Sequence, residues 1–334
     1  MKKEKKEEGK VRVVILMMMM VMMMMGCNSG GVKDPEKVFL SEMVNLGKGF
    51  LDVFVSFGDM ITGTLGIKAE TKKSDIGKYF SDIEKTMISV KEKLQSEVVK
   101  NGNYEKVKTV VEHFITGTLD KIVAGVKEAA KGATGDIAIG NAVKNEDAKP
   151  AEAASINALV KGIKEVVDVV LKKGEGDSNA TKTGDTEKKS IGKLLSGKGA
   201  NSGTEQQAAA ASASIGAVSG ADILQAIANS GEAAAGKADD KDLAVASANK
   251  DAVIAGGIAL RAMAKGGQLA AKNGEDKSEY AVNGASASAV NKTLSTLIIA
   301  IRNTVDSGLK KINETLATIK QEDKTSEASG VQQQ

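Results

Sequence analysis

Residues 74–122 read SDIGKYFSDIEKTMISVKEKLQSEVVKNGNYEKVKTVVEHFITGTLDKI, and their spacing decides the fold class. Ile76, Phe80, Ile83, Met87, Val90, Leu94 and Val98 follow one another at steps of three and four. That spacing draws a single apolar stripe along a helix, with Lys and Glu on its other faces. Ser74 stands where an N-cap is needed, and Asn101-Gly102-Asn103 supplies a stop. A second stripe then starts: Tyr104, Val107, Val111, Phe114, Leu119, Ile122 and Val126. Two amphipathic helices joined by so tight a turn predict an antiparallel hairpin.

Outward from this hairpin the helical pattern continues at both ends. Residues 36–66 carry Phe39, Met43, Leu46, Phe50, Phe54 and Phe57 at helix-like spacing, interrupted by Gly47, Gly49, Gly58 and Gly63. Pro35 suits a first helical turn, with Asp34 as its cap. Val290, Leu294, Leu297, Ile301, Val305, Leu309, Ile312, Leu316 and Ile319 form the longest periodic stripe. No alternating pattern of period two competes with these helices, so the expected class is all-α.

The middle, 131–255, reads differently. Residues 131–150 and 172–255 are rich in Gly, Ala, Ser, Asp and Lys, and GEGDSNATKTGDTEKKS (174–190) and SGEAAAGKADDKD (230–242) predict long surface loops. One helix starts after Pro150, with Ile156, Leu159, Ile163, Val166, Val170 and Leu171 as its stripe, and short helices are expected at 219–229 and 246–265. The chain has no Trp, three Tyr and six Phe, and no Phe lies beyond residue 114, so the later core must be aliphatic. The polar tail 321–334 is expected to be disordered.

The start of the chain has the order of a secretory signal. A basic region with Lys2, Lys3, Lys5, Lys6, Lys10 and Arg12 precedes the uncharged run Val13–Met25, and Gly26 and Cys27 follow. That run is too short for a stable span, which needs roughly 20 apolar residues. Cys27 is the only cysteine and stands where a bacterial lipoprotein signal ends, which predicts cleavage after Gly26 and acylation of Cys27. Acyl chains contribute about 0.8 kcal/mol per buried CH₂, and several on one cysteine hold firmly. The expected organisation is a signal peptide at 1–26, an acylated tether at 27–35, one helical domain at 36–320 with a loop-rich middle, and the tail.

Charge and residue inventory exclude several classes. The full chain has 46 Lys+Arg and 43 Asp+Glu; without the six basic and three acidic residues of 1–26, 40 of each remain. A nucleic-acid binder needs a net basic face. Beyond the signal only Arg261 and Arg302 could clamp a phosphate bidentately. His113 is the only histidine and reads as an ordinary helix residue; one His and one blocked Cys do not make a zinc site or a hydrolase triad. Gly192–Gly199 matches GxxxxGK but puts Gly199 where Mg²⁺ needs Ser or Thr, and no buried strand precedes it, so it reads as a Lys/Gly-rich surface loop. Asp239-Asp240 lacks the spacing of a calcium loop. No enzyme, cofactor or metal is expected.

Residues 74–122, KEAAKGATGDIAIGNAV (127–143), VSGADILQAIA (218–228), IALRAMAKGGQLAAKN (258–273) and VNGASASAVNKTLSTLIIAIRNTVDSGLKKINETLATIKQED (282–323) together resemble the variable large proteins of relapsing-fever Borrelia. The variable surface lipoprotein of Lyme-disease spirochaetes resembles the chain more distantly. The resemblance implies an outer-membrane surface lipoprotein, expressed one gene at a time, whose exchange evades host antibodies. It also implies an elongated helical bundle with its termini near the membrane, and matches Cys27 to the family's acylated cysteine. The Met-rich run departs from a typical family signal. The alternative is an adhesin that binds host glycosaminoglycan or a matrix protein through lysine-rich loops, with Lys188, Lys189, Lys193 and Lys198 as the candidate patch. The sequence leaves the oligomeric state open.

Overall fold

The stripes that define the sequence pattern become the buried faces of helices. The computed structural model describes residues 35–60, 66–100, 104–197, 200–230 and 250–320. Gly26, Cys27, Asp34, Lys198, Asp239, Asp240 and the tail lie outside the described residues. Among those described, ten α-helices and one π-helical turn carry the fold, and the only β pairing is three isolated bridges. The class is all-α.

Residues up to Met43 and residues from Val44 onward form separate compact units. Of the first, only Pro35–Met43 is described, as the opening turns of α1 (Pro35–Met60). In the second unit α1 buries Leu46, Phe50, Val53 and Phe57 along one face, so its glycines do not break it. At Gly49 a methyl group would collide with the Glu97 carboxylate, which lies against the helix backbone.

The predicted hairpin is present. α2 (Lys73–Lys100) buries Ile76, Phe80, Ile83, Met87, Val90 and Leu94. Its return arm is α3 (Glu105–Phe114), a π turn (Ile115–Leu119) and α4 (Asp120–Gly132). Ion pairs Lys91–Asp120 and Lys127–Glu84 step in opposite directions along the two arms, which makes them antiparallel. Ser74 does not cap α2. Its hydroxyl bonds Asp136 at 3.3 Å, and the Asp75 carboxylate accepts the Lys72 N–H instead.

α5 (Ala153–Val170) runs antiparallel to α4 at very close range. A methyl group on Gly162 would lie 2.3 Å from the Ala129 nitrogen and 2.4 Å from the Gly125 carbonyl oxygen. Only glycine permits this backbone approach.

The middle is more helical than its composition predicts. It holds α6 (Asp185–Ser196), α7 (Glu205–Ala217), α8 (Gly220–Asn229) and α9 (Asp251–Met263). α8 and α9 fall where short helices are expected. α6 and α7 replace predicted loop. The reason is that a short aliphatic cluster, Ile191, Leu194 and Leu195, is enclosed on α6, and a largely alanine face, Ala208, Ala211 and Ile215, on α7. Alanine stripes pack without the bulk that marks an amphipathic helix. A Thr204–Gln207 capping box opens α7, and a Ser219–Asp222 box opens α8.

α10 (Ser278–Leu316) is the spine of this second unit. Its expected stripe is buried from Val290 to Ile312, and the buried face starts eight residues earlier with Val282, Ala285, Ser286 and Ala289. Along its length Asn283 meets Ala142, Lys292 the end of α7, Thr304 the end of α5, and Gly308 the Phe114 ring.

Candidate functional surface

The segment after α9 is irregular but largely buried: Ala264, Gln268, Leu269, Ala270 and Ala271 are all enclosed. A buried loop is stable only if its backbone polar groups find partners. Here several come from segments distant in sequence. Gln268 and Lys149 exchange two backbone hydrogen bonds at 2.9 Å. Ala270 N–H donates to Leu194 O, Lys272 N–H to Gly203 O, and Asn145 N–H to Ala271 O. Gly203 has φ of +79°, and a methyl group there would lie 2.1 Å from the Ala270 oxygen.

The end of α9 has its own donor. Lys73, 1% exposed, extends from the first turn of α2. Its Nζ donates to the carbonyls of Ala264 at 2.7 Å, Gly267 at 2.9 Å and Arg261 at 3.2 Å. Burial and the nearby Arg261 charge push Lys73 down to about 7. The carbonyl oxygens at the negative end of α9 act in the opposite sense. Arg261 reaches the other way, donating to Lys149 O at 2.6 Å and Leu195 O at 3.3 Å.

Over this interior lie the surface connections. Residues 133–152 are clamped by Asn283, whose amide accepts from Ala142 N–H at 2.8 Å and donates to Ala142 O at 3.1 Å. Residues 171–184 are held by two carboxylates. Asp222 accepts the Asp177 N–H at 2.7 Å. Asp251, fully buried, accepts N–H bonds from Lys182 at 2.6 Å and Thr183 at 2.8 Å, and hydroxyl bonds from Thr183 and Ser214. Burial acts to raise Asp251, but these four hydrogen bonds together hold its carboxyl below the ordinary value. Between such anchors the connections expose residues 134–137 and 172–175.

Among the described residues the sequence candidates do not come together as a catalytic group. His113 is exposed in the last turn of α3. No three His, Cys, Asp or Glu side chains gather at metal-binding distance among the described residues. Gly192 to Ser196 of the phosphate-loop-like stretch lie in α6, with Gly197 as its cap, where the chemistry would need a strand and loop. The lysine patch is corrected in the same way. Lys188, Lys189 and Lys193 belong to a helix, and of the four only the Lys193 side chain is described, as exposed. A recess of about 300 Å³ between α8 and α9 is lined by Asn179, Ile227, Ser230, Val253 and Gly256, with Lys250 the one titratable side chain among its described lining residues. No described single helix is long and apolar enough to cross a membrane.

The all-α fold is one that known proteins share. Residues 50–316 match the family model described as Borrelia lipoprotein. Variable large protein 17 of Borrelia hermsii is 59% identical over 326 residues, spanning 91% of this chain and 92% of that one. Variable large protein 4 of the same organism is 56% identical over 91% of this chain and 93% of its own. The crystal structure of the Lyme disease variable surface antigen VlsE of Borrelia burgdorferi superposes with a TM-score of 0.70. It is 33% identical and covers 83% of this chain and 98% of VlsE. The chain therefore belongs to the Borrelia lipoprotein family, among its variable large proteins.

Proposed function

We propose that the chain is a non-enzymatic lipoprotein of the bacterial outer surface, held in the outer membrane by acylated Cys27, whose exchange for other family members evades host antibody. In this reading 1–26 is the signal peptide, 27–35 the tether, 36–320 the displayed domain and 321–334 the tail. The observation that carries it is the separation of anchors from exposed residues. Asn283, Asp222 and Asp251 fix the connections from beneath, so exposed side chains such as Thr134, Ile137, Lys172 and Lys173 can change with little effect on packing. The likeness to a protein described as a variable surface antigen supports the same reading.

The adhesin alternative draws no support from the lysines whose pairing is described. Lys144, Lys149, Lys265 and Lys272 lie within salt-bridge distance of Asp276, Glu146, Glu152 and Glu275.

The test is an antiserum raised against this protein and applied to live cells. It should bind cells displaying the chain. Binding should fall sharply when the exposed side chains of Thr134, Ile137, Lys172 and Lys173 are exchanged while the anchors are kept. An antiserum that never reaches live cells would overturn the reading.

A further inference from the structure

α1 has two apolar faces. Leu46, Phe50, Val53 and Phe57 are enclosed by the second unit, while Leu51 and Val55 remain 40% and 53% exposed. Val44, half-buried, falls on the outward face at the same helical register, with exposed Lys48 between it and Leu51. Among the described residues nothing covers this stripe, and apolar side chains aligned at one helical register mark a candidate contact surface. The chain supplies the reason to choose one. α1 starts at Pro35, eight residues after Cys27, so an anchor at Cys27 holds the helix start within roughly 28 Å of the lipid, at no more than about 3.5 Å per residue.

We propose that the outward face of α1, through Val44, Leu51 and Val55, rests in the headgroup layer of the membrane that holds the anchor. This rests on the reading of Cys27 as the anchor point. Three partly exposed aliphatic side chains are too little to bring a free protein to a bilayer. They suffice once a tether keeps the helix at high local concentration there. Lys48 can extend its stem over the same face and leave its ammonium among lipid phosphates.

The chain has no Trp and a single Cys, which permits a direct test. Protein beginning at Cys27 is coupled through that thiol to maleimide-bearing lipid in phosphatidylcholine–phosphatidylglycerol vesicles. The coupling does not depend on whether cells acylate the residue, so failure here is distinct from failure of the lipoprotein reading. Leu51→Trp, and separately Val55→Trp, report the environment of the face, and Tyr280→Trp on the exposed start of α10 serves as the reference. Circular dichroism and urea midpoints establish that each variant folds.

The expected result is a blue-shifted emission at positions 51 and 55, quenched by brominated lipid, only when the protein is coupled. The reference should not change. Emission at 51 and 55 unchanged by coupling would overturn the proposal. A blue shift that grows with surface density but is not quenched by brominated lipid would also overturn it, assigning the face to a second copy of the chain.

Discussion

The ammonium of Lys73 lies 2.7 Å from the carbonyl oxygen of Ala264, joining two residues 191 positions apart. Three donors on one side chain meet three carbonyls where α9 ends, at the entrance to the buried loop. An ammonium fits because it offers three donors and no acceptor. The charge is costly to enclose; without it Ala264 O would keep only the Gly267 N–H at 3.3 Å and Gly267 O only the Asn141 amide at 3.0 Å, and Arg261 O would lose the ammonium.

Lys73→Met keeps the stem and removes the donors. It should lower stability by about 1–3 kcal/mol, the cost of leaving buried carbonyls short of a donor less the charge burial relieved. Urea unfolding followed by circular dichroism measures it. A neutral or stabilising outcome would show that the carbonyls find water.

Asp251 provides a pH signature. Its folded carboxyl titrates below its ordinary value, so its contribution is fully present above the unfolded pKa and is lost as pH falls through the depressed folded one. Asp251→Asn should reduce stability at neutral pH by roughly 1–3 kcal/mol and flatten the decline of stability below about pH 4. Parallel slopes for variant and parent would rule out this role.

Gly162→Ala and Gly284→Ala should differ in sign. The first drives a methyl group into the α4 backbone and should cost about 2–3 kcal/mol or more. The second adds a methyl group to an exposed turn of α10 with nothing within 4 Å, and should stabilise by about 0.5–1 kcal/mol. Paired thermal melts decide between them.

Asn283→Ala should loosen one surface connection without unfolding the bundle. Amide exchange should accelerate at Ala142 and its neighbours, while α4 and α5 keep their protection. Uniform acceleration across the chain would mean that Asn283 supports the whole fold.

The aliphatic and aromatic stripes made most of the bundle legible in sequence. Even the π turn left a trace, because Phe114 and Leu119 are five residues apart where the neighbouring steps are three and four. α6 and α7 were hidden because their buried faces are short or made of alanine, and a Gly/Ala/Ser composition also describes a loop. The interior segment 264–271 was hidden for another reason. Nothing in AKGGQLAA announces burial, since its backbone is satisfied by Lys149, Leu194, Gly203 and Lys73, all distant in sequence. The start of α10 was legible only from alanine and serine at helical spacing. The lysine-rich patch was misread as loop because four lysines dominate local polarity while three buried aliphatic residues set the helix.

The most direct test of the account compares the chain with Cys27→Ala in intact cells, by surface proteolysis beside metabolic labelling with a radioactive fatty acid. The parent should be labelled and removed by protease from whole cells, and the variant should lose its label. A parent that is unlabelled and protected from protease would contradict both the anchor and the display of this domain.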